Sequence, residues 1–129
     1  MKQFLVTVLA LLAFSCKSST SSPTGPKIGE EFNLKYGESI QVQNESLTLK
    51  FENVADDSRC PTGASCVWAG NAKIILQVAQ IDTSLNSALS PSEINYNSFN
   101  IKLLSVSPYP TIGQQIKLDD YIIKLIVTK

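Results

Sequence analysis

The chain has no histidine, a single arginine and a single tryptophan, and no net charge, with 11 Lys+Arg balanced by 11 Asp+Glu over 129 residues. Without histidine, the commonest general base and the commonest transition-metal ligand are missing, which counts against Ser–His–Asp triads and zinc hydrolase sites. Without a surplus of Lys and Arg there is no electrostatic footprint for a phosphate backbone, so no nucleic-acid partner is expected. Charged residues make up only 17% of the chain and hydrophobic ones 43%. Disordered chains show the opposite balance, so a packed core is expected, and the length suits one domain.

Long hydrophobic runs are scarce too. The one present, residues 4–14, is broken only by Thr7 and follows the short positive start Met1-Lys2-Gln3. It is shorter than the roughly 20 residues of a membrane-spanning helix and has the layout of a secretory signal peptide. Leu12-Ala13-Phe14-Ser15-Cys16 then resembles a lipobox, the processing signal of bacterial lipoproteins, although Ala13 stands where leucine is commonest and Phe14 is bulky for its place. The resemblance implies removal of residues 1–15, a diacylglyceryl group on Cys16, and usually an acyl chain such as palmitate on the new N-terminus. The competing reading takes Ala13-Phe14-Ser15 as an ordinary small-x-small cleavage site and leaves a soluble product with an odd cysteine.

Residues 16–27 form a Ser/Thr/Pro/Gly-rich tether with no large apolar side chain. With about ten flexible residues it reaches roughly 17 Å, which would hold the folded part close to a bilayer. No acidic run follows Cys16. Because such a run marks surface export in some bacterial groups, the expected location is the bacterial envelope, on an outer membrane and facing the periplasm.

From Ile28 to the end the apolar residues alternate, the period of a half-buried strand. Phe32, Leu34 and Tyr36 make one such run; Ile40 and Val42 a second; Leu47, Leu49 and Phe51 a third. Ala72, Ile74, Leu76 and Val78 follow, then Phe99, Ile101 and Leu103, then Ile116 and Leu118 before a turn at Asp119-Asp120. Tyr121, Ile123, Leu125 and Val127 close the series, with Ile122 and Ile126 around Lys124 marking a strand covered on both faces. The count of about seven strands predicts a single all-β domain over residues 28–129, an antiparallel β-sandwich or small barrel. Residues 82–97 read as a long loop, with one helical turn where Ser90-Pro91-Ser92-Glu93 has capping-box spacing.

One stretch is dense in chemistry: Asp56-Asp57-Ser58-Arg59-Cys60-Pro61, then Cys66-Val67-Trp68-Ala69-Gly70-Asn71-Ala72. With Cys16 assigned to the lipid and an oxidising compartment, counting leaves Cys60 and Cys66 as a disulfide pair. Closing that short loop is worth about 2.4 kcal/mol in the chain-entropy model. No metal site is expected, since two cysteines without histidine fall short of the usual four ligands, and the C-x5-C spacing departs from the redox C-x-x-C. One aspartate is expected to pair with Arg59 and stiffen the loop, with Trp68 packed over the disulfide or the guanidinium and Gly63 and Gly70 at turns of positive φ. The same string, D-S-R-C-P followed by C-x-W-x-G-x-A, resembles a signature of small bacterial exported proteins and lipoproteins. That resemblance brings no catalytic residues.

The expected function is therefore a non-enzymatic binding or structural module of the envelope, without a cofactor, held to its membrane by lipid and meeting an envelope protein or ligand. Arg59, Trp68 and Tyr96 are the candidate binding residues, because aromatic and arginine side chains dominate hot spots and loops carry them. Two alternatives compete. A protease inhibitor would present the disulfide-bound Arg59-Cys60 loop to a trypsin-like pocket. A glycoside hydrolase would need a carboxylate pair such as Asp56 or Asp57 with Glu93, about 5 to 10 Å apart in a cleft.

Overall fold

The computed structural model describes residues 25–129. Cys16, the signal peptide and most of the tether lie outside the described residues. Eight strands follow one another: β1 (Glu31–Lys35), β2 (Ser39–Gln41), β3 (Thr48–Asp57), β4 (Ala72–Val78), β5 (Ile81–Asn86), β6 (Glu93–Tyr96), β7 (Phe99–Ser107) and β8 (Ile122–Thr128). Every pairing is antiparallel, in two sheets ordered β1-β8-β7-β6 and β2-β3-β4-β5. The chain thus runs up and down, but no ladder joins β1 to β2 or β5 to β6, so the meander is split into a β-sandwich instead of closing as a barrel.

Alternation builds the core directly. Leu34, Ile101, Leu103, Ile123, Leu125 and Val127 from one sheet face Leu49, Phe51, Ile74, Leu76, Val78 and Leu85 from the other, all of them buried. Two irregularities adjust the period. The register shifts between Leu103 and Ser105, which leaves Leu104 outside while Leu103 and Val106 both point inward, and β3 shifts twice between Phe51 and Asp56. β8 lies between β1 and β7, as its doubly apolar pattern predicts.

Three details depart from the sequence reading. Residues 82–97 are not one loop, since they contain the two outermost strands β5 and β6. An edge strand needs little apolar surface: β5 buries Leu85 and Asn86 and is otherwise held by its ladder to β4. No helical turn forms at Ser90, because the carbonyl of Pro91 accepts from the Asn86 backbone at 2.9 Å and that of Ser92 from the Leu103 backbone at 2.8 Å. Ile116 and Leu118 belong to no strand, and Leu118–Asp120 is a single 3-10 turn.

Parity of the strands then sorts the connections. In an eight-strand up-and-down chain, both termini and every second connection share one end. That end carries the six-residue connection after β2, the two-residue turns after β4 and β6, and the first described residues, where Gln43 donates to the Pro26 carbonyl at 2.9 Å and Gly29 to that of Val127 at 2.8 Å. The opposite end carries the 36–38 turn and three loops that matter for the site: residues 58–71 and 108–121, the two longest connections, and residues 87–92.

Candidate functional site

The three long loops are bound into one unit, beginning with the cysteine loop. Its two legs continue the β3–β4 hairpin: the Ser58 backbone donates to the Asn71 carbonyl at 2.8 Å and the Cys60 backbone to that of Ala69 at 2.9 Å. Between the legs, Cys60 and Cys66 are disulfide-bonded with Cα atoms 5.9 Å apart, as the cysteine count predicts. Gly70 has φ +73°, and a Cβ there would press into the Ser58 carbonyl, so this position requires glycine twice over.

Arg59 turns inward from this loop and is only 7% exposed. Its Nε and Nη2 donate to the two carboxylate oxygens of Asp57 at 2.8 and 2.7 Å, a bidentate fork. Nη1 donates to the Val106 carbonyl at 2.6 Å and Nη2 to that of Pro108 at 3.0 Å, which ties the cysteine loop to the end of β7. The Tyr121 hydroxyl donates to Asp57 Oδ2 at 2.8 Å, and the Tyr109 ring lies 5.2 Å from the guanidinium carbon. A buried ion pair is stable only when its remaining hydrogen-bonding capacity is met, and here three hydrogen bonds beyond the fork, to the Val106 and Pro108 carbonyls and from the Tyr121 hydroxyl, serve that end.

The protonation states follow from this packing. Burial by itself would raise the Asp57 carboxyl, but hydrogen bonds from Arg59 and Tyr121, with the guanidinium charge, outweigh it and hold the group below the usual carboxylate range. For Arg59, burial lowers and Asp57 raises, and Asp57 prevails. Tyr121 is pushed up to about 12, first by burial and then by its bond to the Asp57 carboxylate. The cluster therefore stays ionised at neutral pH, with no group poised to exchange a proton.

A second polar knot joins the third loop. Asn71 is buried, donates from Nδ2 to Asn86 Oδ1 at 2.8 Å, and accepts at Oδ1 from the backbones of Ala88 and Leu89 at 3.0 and 3.3 Å. Asn86 passes the connection on to the Pro91 carbonyl at 3.2 Å. On the other flank, Thr62 forms an isolated bridge with Thr111, donating to the Pro110 carbonyl at 2.9 Å and accepting from Ile112 at 3.1 Å.

The expected site residues separate in this arrangement. Arg59, expected as an accessible binding side chain, is instead an internal strut, because a guanidinium with a carboxylate and two carbonyls within reach places four of its five N–H donors by turning inward. Trp68 is 71% exposed, and the ring that lies over the Arg59 guanidinium is that of Tyr109. Tyr96 lies on β6, not on a loop, and is half-buried against the core. The aspartate that pairs with Arg59 is Asp57, which engages one carboxylate of the proposed hydrolase pair, while Glu93 is exposed on the opposite sheet's edge strand. Tyr109, Tyr121, Asn71 and Asn86 were not singled out from the sequence. Their partners lie as far as 64 residues away, beyond the reach of any local pattern.

Among the described residues, no group of three or more Cys, Asp or Glu gathers where it could hold a metal ion. Among the side chains the three loops leave outward are six large apolar ones, Val67, Trp68, Leu89, Tyr109, Ile112 and Leu118, set among exposed serine, threonine and glutamine and the charged Lys117, Asp119 and Asp120. Chemically, such an end offers apolar contact area and shape. Compared with known proteins, the chain matches no family model, no curated protein and no solved structure.

Proposed function

We propose that this chain is an exported, lipid-anchored, non-enzymatic binding module of a bacterial envelope, carried on Cys16 and presenting the three-loop end to its ligand. The observation that supports this most is the division of labour between the ends. The first described residues pack beside β2 and β8 at one end, and the braced loops with their outward apolar side chains lie at the other. A flexible tether leaving from the first end sets the reach of the domain and leaves the second end free to face away from the membrane. Binding is favoured over catalysis because the one buried charged cluster is held in a single protonation state and most of its donors are spent on the fold. Burial of Arg59 also takes from the inhibitor reading the side chain it depends on.

Intact-mass spectrometry of the protein extracted from its native membrane, with and without reduction and alkylation, tests the reading. The expected mass is that of residues 16–129 plus acyl chains, with two further alkylation sites appearing only after reduction. An unacylated mass would overturn the anchor and make the product a soluble exported protein.

A further inference from the structure

Eight large apolar side chains are exposed among the described residues, and six of them lie on the three loops of one end: Val67, Trp68, Leu89, Tyr109, Ile112 and Leu118. The other two, Ile81 and Leu104, lie in the β4–β5 hairpin and on β7. Exposed apolar residues scattered singly need no explanation, but their concentration at one end does. The loops that carry them are also the most heavily braced part of the molecule. Leu89 donates to buried Asn71, Tyr109 covers Arg59, and Ile112 donates to Thr62 four residues before Cys66. Bracing of this kind holds side chains outward in fixed positions and so reduces the entropy lost on binding.

The charge pattern narrows the partner. Residues 58–71 contain one charged side chain, Arg59, buried against Asp57; residues 87–92 contain none. In residues 108–121 the only charges are Lys117, Asp119 and Asp120, around the 3-10 turn. What surrounds Trp68 and Tyr109 is serine, threonine, glycine, alanine, proline and glutamine, the mixture of rigid aromatic anchors and small polar residues that protein-binding loops on β-sandwiches use.

A bilayer fits less well. Surfaces that bind bilayers add Lys and Arg for anionic headgroups, whereas the one exposed cation here stands beside two aspartates, and strand parity puts this end opposite the one the tether leaves. A second copy fits less well again. Val67, 96% exposed, stands clear of its neighbours, so this end calls for a partner with a recess, while a stable interface takes about 800 Å² from each partner. A hollow of about 260 Å³ on the β2–β3–β4 face is lined by Ser39, Thr48, Lys50 and Gln77 and is polar, so it does not complement an apolar tip.

We infer that the three-loop end is a protein-docking surface centred on Trp68, and that its partner is a protein presenting an uncharged, apolar cleft. This rests on the reading of the domain as a binding module. The test places the photo-crosslinker benzoyl-phenylalanine at Trp68, Leu89 or Ile112 of the full chain in its native cells, with Ile81 as the control position. Irradiation is expected to give one discrete polypeptide adduct, with the same mass increment from all three loop positions and none from Ile81. The polypeptide, identified and purified, is then expected to bind the chain at least tenfold more weakly when Trp68→Ser is introduced and equally well with Ile81→Ser. Lipid adducts would make the surface a bilayer contact, and a doubled chain mass would make it a self-association surface. Either result, an equal adduct from Ile81, or no adduct from any loop position, overturns the inference. Intact mass separates the two readings: an acylated chain giving only lipid adducts retains the anchor and loses the docking surface, and an unacylated chain giving the protein adduct does the reverse.

Discussion

The two ends of the sandwich solve the problem of reversing the chain in different ways. At the end that holds the first described residues, β4–β5 and β6–β7 turn through two residues each, and the turns at Asn44, Ala79, Gln80 and Asn97 adopt positive φ without a single glycine. Ala79 and Gln80, both left-handed, form the I′ pattern that matches strand twist, and their strain is outweighed by the ladder they close. The ion pair there, Lys129 with Glu45, has side chains 47% and 22% exposed and so contributes little. At the other end, loops of up to 14 residues are held by a disulfide, by the Asp57–Arg59 pair with side chains 11% and 6% exposed, and by Asn71 with Asn86. The two-residue turns need only backbone geometry, whereas the two 14-residue loops are held in one shape by buried polar side chains.

The largest test of this contrast is Arg59→Met. It leaves the Asp57 carboxylate and two carbonyls without their donor and is expected to lower unfolding free energy by about 3–5 kcal/mol in urea titration. Lys129→Met at the other end is expected to change it by less than about 1 kcal/mol. Equal losses would show that the ends are braced alike. Next in size, replacing both cysteines, Cys60→Ser with Cys66→Ser, is expected to cost about 2 kcal/mol. Amide exchange should speed up across residues 58–71 and not at the β4–β5 turn.

Acid and alkali act on the braced end in opposite senses. The Asp57 carboxyl is lowered in the folded state, so its contribution is complete above the ordinary carboxylate pKa of about 4 and is lost as pH falls through the lower folded value. Tyr121 is raised from 10 to about 12, so its contribution is complete below about pH 10 and is lost as pH rises towards 12. The urea midpoint is therefore expected to stay flat from about pH 5 to 9 and to fall on either side, and Tyr121→Phe should remove part of the alkaline fall. A midpoint unmoved between pH 10 and 12 in the parent chain would show that the Tyr121–Asp57 bond does not stabilise the fold. The smallest effect belongs to the simple end. Ala79→Gly relieves a left-handed alanine and is expected to raise stability by about 0.5–1 kcal/mol, read as an upward shift in Tm.

Strands with a strong apolar period were legible in the sequence. β4 and β8 bury every second residue, and that period survives whatever they pack against. The edge strands β5 and β6 were not, because a strand paired on one side and half solvated carries mostly polar residues, and its ladder is invisible until β4 and β7 are in place. Ile116 and Leu118 misled for the converse reason, since two alternate apolar residues suffice for a pattern but not for a partner strand. The cysteine pair was legible by counting. The orientation of Arg59 and Trp68 was not, because a side chain's direction in a loop is set by whatever neighbours it meets, here the carbonyls of Val106 and Pro108.

The sequence by itself thus determined an all-β chain, its main core faces, its disulfide and the pairing of Arg59 with one of its two neighbouring aspartates, all of which depend on local period, cysteine count or near neighbours. Only the tertiary structure decided that the meander opens into two sheets, that the single arginine is buried while the single tryptophan is exposed, and that six apolar side chains from three distant loops share one end. Those outcomes depend on contacts up to 64 residues apart, such as Tyr121 with Asp57, and on strand parity, which no local pattern contains.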